Sequence, residues 1–280
     1  MTDHPPRAED PAPPLSRSVL RPVRRLGDPG PEADSRELIG EEPLLLRIEG
    51  SPYAAVMRTP GEEIAHAAGF CLAEGIVEAA EDFAGIGFCA DLDPNVVEVR
   101  LRPERAARVA AILERRGFLS QTSCGICGKQ MLAELLQVLE PLGKGPLPPP
   151  GALREAVRAL LRSQHFYHRT RGSHAALVGD RDGRGLAFAE DVGRHNAVDK
   201  AVGRLLLERR LSRAAVLALS SRVSYELIQK AARARIPAVV ALSRPTALAV
   251  AIARALDLAL VGVEGEGGLV VYSGEERLCG

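Results

Sequence analysis

The sequence has no charge excess: Lys+Arg and Asp+Glu number 36 each, so the formal net charge is zero. A protein built to hold a nucleic acid polymer neutralises phosphates with a surplus of Lys and Arg, and no such surplus exists here. A local group of donors still suffices for one nucleotide-like ligand. A cysteine framework is also lacking. The five cysteines, Cys71, Cys89, Cys124, Cys127 and Cys279, are odd in number and sparse in 280 residues, unlike a disulfide-stapled secreted protein. The opening stretch, MTDHPPRAEDPAPPL, has no apolar segment of the kind a secretory signal needs. The longest apolar run, around Ala247 to Ala253, falls far short of a membrane span and meets Arg254. These absences predict a soluble cytoplasmic protein of a reducing compartment, with no membrane and no nucleic acid polymer as partner. No internal repeat of fixed period is visible. What is present is apolar mass, 46% of residues, enough for a substantial buried core.

Residues 1–36 are rich in Pro and charge and read as a flexible tail, with order beginning near Glu42. Pro43 to Ile48 and Tyr53 to Arg58 read as a hairpin around a Glu49-Gly50-Ser51-Pro52 turn. Thr59-Pro60-Gly61-Glu62 has the spacing of a helix start with Thr59 as N-cap, and the helix runs to about Gly75. Val96 to Leu101 reads as a strand, Glu104 to Arg115 as an amphipathic helix, and the segment after Gly128 as a further helix. Residues 37–140 thus form an N-terminal subdomain, Pro141 to Gly151 a linker, and residues 152–280 a C-terminal α/β domain. That domain opens with a helix over Ala152 to Gln164 and continues with strands His174–Val178 and Leu186–Ala189. Three strand-to-helix passages follow, at Leu186–Ala189 into Ala197–Arg209, Ala214–Leu219 into Val223–Ala234, and Ala238–Leu242 into Ala247–Leu256. Strands Leu258–Val263 and Leu269–Tyr272 close the chain. The fold class predicted is α/β, with α+β elements in the N-terminal part and a mostly parallel or mixed sheet flanked by helices. Ligands of such sheets bind at the carboxyl ends of the strands, here Asp191–Asn196, Ser220–Arg222 and Ser243–Thr246.

Ser123-Cys124-Gly125-Ile126-Cys127-Gly128 stands directly before a helix pattern. Unpaired amides at a helix start favour a thiolate, the species that attacks a persulfide and holds the transferred sulfur. Half of a zinc site is the alternative, but structural zinc needs four ligands and no second spaced pair accompanies this one. A redox pair and a sulfur carrier are left equally open by spacing alone. Glu190 to Lys200, EDVGRHNAVDK, is a dense polar run between a strand and a helix, in which Asn196 can cap the helix while Arg194 and His195 face an anion. Ser220 to Glu226 and Ser243 to Thr246 offer further donors at helix starts. His174 reads as a packed, hydrogen-bonded group. No histidine begins the His-x-Glu signature of zinc deaminases, since His66 and His174 are each followed by Ala-Ala.

These pieces, in order, resemble the formate dehydrogenase accessory sulfurtransferase family. The matching residues are Glu42-Pro43-Leu44, Met57-Arg58-Thr59-Pro60, Gly69-Phe70 with Glu74-Gly75, Ser123 to Lys129, Gly172 to Ala176, Glu190 to Lys200, Ser221 to Leu227, Pro245-Thr246 with Leu248-Ala249-Val250, and Tyr272-Ser273. The resemblance implies a cytidine-deaminase-like fold and a homodimer. It implies a sulfurtransferase that takes persulfide sulfur from a cysteine desulfurase and passes it to molybdenum held by two guanine-dinucleotide pterins. That bis(molybdopterin guanine dinucleotide) cofactor is the bound acceptor, is destined for formate dehydrogenase, and brings its own metal, so no protein-held metal is expected. By position Cys124 bears the persulfide and Cys127 is its less strictly required neighbour. The family's cofactor-binding stretch falls on Val263, Glu264, Gly265, Glu266, Gly267 and Gly268. Glu264 and Glu266 stand where the family often has bases, and Arg171 and Ser221 where it has glycines. Arg194, His195, Arg222 and Thr246 are the expected nucleotide or pterin contacts. A non-catalytic cofactor chaperone and a thiol–disulfide oxidoreductase are the competing readings.

Overall fold

The structure, a computed structural model, describes residues 16–27, 30–88, 94–115, 139–265 and 267–278, with the backbone path alone for 111–115. Cys89, Cys124, Cys127, the helix expected after Gly128, Glu266 and Cys279 lie outside the described residues. The N-terminal part carries β1 (Ser18–Leu26), β2 (Pro31–Ile39), β3 (Glu42–Ile48), β4 (Ser51–Arg58), α1 (Glu63–Ala73), β5 (Phe83–Phe88), β6 (Val96–Leu101) and α2 (Pro103–Arg115). Then follow α3 (Pro150–Ser163), α4 (His165–Thr170), β7 (His174–Gly179), β8 (Gly185–Asp191), α5 (Arg194–Leu207) and β9 (Val216–Leu219). The chain continues through α6 (Tyr225–Arg233), β10 (Ala238–Ala241), α7 (Ala247–Ala255), β11 (Ala259–Glu264), β12 (Gly268–Ser273) and α8 (Glu275–Leu278). No described helix is long and apolar enough to cross a membrane.

The larger sheet has the order β12-β11-β10-β9-β7-β8. β9, β10 and β11 pair in parallel, whereas β7 is antiparallel to both β8 and β9. The carboxyl ends of β8, β9, β10 and β11 therefore lie along one edge. Successive strand residues face opposite sides, and the core divides accordingly. Leu217, Leu219, Val239, Ala241 and Leu260 join α5, α6 and α7 on one face. Val216, Ala218, Ala238, Val240 and Val261 meet Leu153, Ala156 and Leu160 of α3 on the other. Short strands of Ala, Val and Leu, buried on both faces, follow from helices covering both sides.

The smaller sheet, order β4-β3-β6-β5, packs Leu44, Leu46, Val97 and Val99 against α1. α1 in turn lies on α5, so one apolar cluster runs from this sheet to the larger one. The two helices touch through glycine. A Cβ on Gly69 would collide with the backbone carbonyl of Asp199, and one on Gly203 with that of Ala65. Relief would require the helices to part, so Gly203→Ala is expected to cost stability near or above the upper end of about 1–3 kcal/mol. A lowered urea midpoint at unchanged slope is the measurement, and an unchanged midpoint would refute the close crossing.

Three expectations need correction. Residues 18–36, read as part of a flexible tail, belong to an antiparallel hairpin that runs to Ile39, with Ser18 opposite Ile39. No side chain in it is fully buried, which is why no apolar period announced it. Cross-strand pairing and docking on α4 hold it instead: Arg169 pairs with Glu37, and the Arg17 guanidinium lies 4.5 Å from the Phe166 ring centre. Second, Thr59 does not cap α1. The helix begins at Glu63 after Glu62 at φ 65°, and Thr59 is drawn into a buried polar node. Third, α5 starts at Arg194 rather than Ala197, with Gly193 in the N-cap position.

Candidate functional site

The run Glu190 to Lys200 divides into an inward and an outward half. Asp191, the last residue of β8, is fully buried and meets Lys200 Nζ at 2.6 Å. Lys200 also donates to the Thr59 carbonyl at 2.7 Å. The Thr59 amide gives Asp191 a further hydrogen bond at 3.1 Å, and the Thr59 hydroxyl accepts from the Val192 amide at 3.0 Å. Asn196, expected as a cap, points inward: its Nδ2 donates to Asp191 at 2.9 Å and to the Met57 carbonyl at 2.7 Å. Gly193 permits this, since a Cβ there would lie 2.6 Å from Asn196 Nδ2. Burial pulls the Lys200 pKa down and Asp191 opposes it, so the ammonium depends on its carboxylate partner. Glu190 is buried too and binds the Phe166 and Tyr167 amides at 2.9 and 2.8 Å, fixing the start of α4. This inward half joins β4, β8, α4 and α5 into a rigid platform.

The outward half presents its side chains to the strand-end edge. Arg194 and His195 occupy the first turn of α5, whose N-terminus has no side-chain cap. Arg194 Nε is shielded from solvent and has no hydrogen-bond partner among the described residues. His174, first residue of β7, pairs in register with Asp191. Its pKa is lowered by burial first and then by Arg194 and His195, which places three basic groups together at this strand end. His174 is therefore part of the basic cluster, not only the packed group expected from its neighbours in sequence. His195 Nε2 lies 2.7 Å from Glu226 Oε2, and Ser224 donates to the same carboxylate at 3.3 Å. Among the described residues, then, the uncapped start of α5 carries Arg194 and His195 with His174 close by, a set of donors whose chemistry suits an oxyanion.

Along the same edge Arg222 is exposed in the β9–α6 loop. Thr246 caps α7 through its hydroxyl, which accepts from the Ala249 amide at 3.2 Å. Its own amide donates to the Val223 carbonyl at 2.9 Å, tying the two strand-end loops together. That hydroxyl is thus engaged in the helix start, whereas the Arg222 side chain is exposed. Val263, Glu264, Gly265, Gly267 and Gly268 form the β11–β12 turn, in which Gly265 and Gly267 adopt φ of +56° and +97°. Val263, Glu264 and Gly265, with Ser243, Arg244 and Tyr272, border an open recess of about 600 Å³. Arg244 stands 3.2 Å from Glu264, so the acidic residue here has a cation beside it. Sequence reasoning missed that pairing, the Glu226–His195 contact and the role of Thr59. Only the helix-start spacing of Glu226 hinted at any of them.

His66 on α1 lies buried near this platform. Desolvation first, then the charges of Lys200, Lys230 and Arg58, hold its pKa well below 6.5, while Asn196 pulls in the opposite direction. A base with a depressed folded pKa binds its proton more readily when unfolded. Its contribution is therefore complete above the unfolded value of about 6.5 and is lost as pH falls below it. His66→Leu is expected to flatten this acid-side loss when urea midpoints at about pH 7.5 and about pH 5.5 are compared. Equal losses in both proteins would assign the acid sensitivity elsewhere.

Comparison with known proteins identifies relatives of this chain. The family model described as FdhD/NarQ matches residues 39–279. A protein of Anaeromyxobacter dehalogenans named a sulfur carrier protein is 41% identical over 251 residues, covering 85% of this chain and 87% of its own. One of Streptomyces coelicolor with the same name is 39% identical, covering 92% of this chain and 95% of its own. A crystal structure from Desulfotalea psychrophila, described as a formate dehydrogenase accessory protein, shares the fold at a TM-score of 0.73 and 23% identity. It covers 93% of this chain and 99% of that one. A match over residues 39–279, with relatives at about two-fifths identity, places this protein in the FdhD/NarQ family.

Proposed function

We propose that this protein is a sulfurtransferase that carries persulfide sulfur on Cys124 and delivers it to a molybdenum cofactor required by formate dehydrogenase. The donor is a cysteine desulfurase. The Cys124 thiolate attacks the terminal sulfur of the donor persulfide, a new S–S bond forms, and the donor cysteine leaves as thiolate. No external oxidant or reductant is needed for that exchange. Cys127 is the neighbouring thiol. The acceptor is the bis(molybdopterin guanine dinucleotide) cofactor, whose phosphates suit the strand-end edge. Relatives that carry the name sulfur carrier support the first part of this reading.

The observation that carries the second part is the corner at the start of α5. Arg194 Nε, shielded and without a partner, sits with His174 and His195 beside an uncapped helix N-terminus. An oxyanion would satisfy all of these groups at once, and a dinucleotide supplies oxyanions. Arg194 and His195 would hold phosphate there, and Arg222 would reach the same ligand from the next loop. Val263, Glu264 and Gly265 border the recess at the far end of the edge, with a glycine amide in place of basic side chains. Arg194→Ala is expected to weaken binding of the guanine dinucleotide cofactor by at least about tenfold, the effect of losing one charge-assisted anion contact. Titration of the purified protein measures it, and undiminished affinity would move the cofactor away from this corner.

The decisive experiment for the sulfur step is incubation with a cysteine desulfurase and cysteine, followed by intact and peptide mass measurement. A gain of one sulfur confined to the peptide containing Cys124 is expected. An unmodified Cys124 beside a demonstrably charged desulfurase would favour a cofactor chaperone. Equal dependence on Cys124 and Cys127, with a disulfide as product, would favour a thiol–disulfide oxidoreductase.

A further inference from the structure

Two recesses join at the end of the larger sheet opposite the corner at the start of α5. The first, of about 500 Å³, lies among the 78–81 loop, the end of α5 and the end of α6. The second, of about 460 Å³, lies between the 180–182 turn and the chain entering β9 and β10. They share Ser212, Ala214 and Arg235, and so form one groove across the amino ends of these two strands. Each is within the roughly 300–1,000 Å³ usual for ligand pockets.

The charges in this groove are unevenly matched. Each lining carboxylate is engaged: Glu78 pairs with Arg105 at 2.8 Å, Glu81 with Arg209 at 3.1 Å and Asp182 with Arg184 at 3.3 Å. Asp180 accepts from the amides of Asp182 and Arg184 at 3.0 and 2.9 Å. The arginines are not so engaged. Among the described residues the side chains of Arg213 and Arg233 make no hydrogen bond or ion pair, and those of Arg181 and Arg235 reach only backbone carbonyls. Arg233 Nε is shielded from solvent as well as unpartnered. A Cβ on Gly75 would stand 3.1 Å from its Nη2, so the guanidinium is held close against that glycine. Burial pulls the Arg233 pKa below the usual arginine value; Glu78 opposes this and Arg105 adds to it. A last-turn arginine complements the helix dipole, but that role needs no burial. What Arg233 lacks is an anion.

The walls indicate which anion. Ala79, Ala80, Leu206, Leu211 and Ala234 line the first recess beside Arg233, so its occupant carries apolar groups as well as charge. A bare phosphate would leave those walls uncovered, whereas a guanidinium also takes a carboxylate through two parallel hydrogen bonds. Two joined recesses with spaced arginines match an extended chain better than a compact molecule. We propose that this groove docks a peptide segment of a protein partner in which carboxylates alternate with apolar side chains. Arg233 holds one carboxylate in the first recess, and Arg213 another in the second. The proposal does not depend on the cofactor reading, because the groove and the corner at the start of α5 stand at opposite ends of the sheet and can be filled together.

The test is fluorescence anisotropy of a labelled Glu-Leu-Glu-Glu-Leu-Glu peptide, and of its counterpart with lysine for glutamate, titrated with the full chain. The acidic peptide is expected to bind, the lysine peptide not, and inorganic pyrophosphate to leave the binding in place. Arg233→Met and Arg213→Glu are each expected to weaken it by at least about tenfold, the effect of losing one charge-assisted contact. Arg213 is exposed, so its variant reports on binding at an unchanged thermal midpoint even where Arg233→Met lowers that of its own protein. Failure of the acidic peptide to bind, full affinity in either variant, or displacement by pyrophosphate overturns the proposal. So does binding of the lysine peptide, or equal competition by a single-stranded oligonucleotide, which would make the groove a generic polyanion surface.

Discussion

A Lys200→Met protein is expected to lose about 3–5 kcal/mol of folding stability, the range for removing one partner of a buried ion pair. The size follows from burial: Lys200 and Asp191 are both inaccessible to solvent and meet at 2.6 Å. Removing the ammonium leaves Asp191 with the amides of Thr59 and Gly193 and with Asn196, but without a countercharge. It also strips the Thr59 carbonyl of its donor. The double variant Asp191→Asn, Lys200→Met should recover part of the loss, because no lone buried charge is then left. Urea denaturation of the three proteins measures both effects. A Lys200→Met midpoint within error of wild type would mean that water reaches the pair, and the platform under α5 would then need another explanation.

Cys124→Ser is expected to abolish sulfur loading altogether, with formate dehydrogenase maturation lost in a host that depends on this protein. The hydroxyl of serine is neither ionised nor nucleophilic enough near neutral pH to attack a persulfide, so the loss is categorical. Cys127→Ser should retain loading at Cys124, since the neighbouring thiol takes no part in the exchange with the donor. Peptide mass after desulfurase treatment reads the first step, and formate oxidation by host extract reads the second. Retained loading in Cys124→Ser would transfer the carrier role to another cysteine. Because Cys71 is buried in the core, that role would fall to Cys89, Cys127 or Cys279.

The alternation of apolar strands with amphipathic helices after Ala152 was legible because each element there is buried on a face dictated by its own period. Val96–Leu101 emerged with the expected bounds for the same reason. The β1–β2 hairpin was not legible, since charge and proline dominate it and its hold on α4 comes through Arg169 and Arg17 rather than buried apolar area. Strand β5, Phe83–Phe88, was also unforeseen; two of its six residues are glycine, a poor strand former. In the candidate site, Arg194, His195 and Arg222 were singled out from local polarity alone, and the structure sets all three on one edge of the sheet. The partition of EDVGRHNAVDK into buried and exposed halves needed tertiary information. Local spacing made Asn196 a cap, yet its true partners are Asp191 and the carbonyl of Met57, 139 residues distant in the chain.

The sequence by itself determined the α/β class, the order of the strand-end loops and the cysteine pair, because these depend on periodicity and on residues adjacent in the chain. The tertiary structure decided which polar residues became framework and which were left for a ligand. Thr59, Asp191, Asn196 and Lys200 are polar enough to read as a site, but crossing α1 over α5 through Gly69 and Gly203 brings distant segments together and buries them as one satisfied node. Glu226 and Lys230 read as ordinary helix charges, until the packing of α6 beside α1 turned them onto a cleft with an apolar opposite wall. A buried polar group must find its partner wherever the fold puts one. Its fate is therefore set by long-range geometry that no local window of sequence contains.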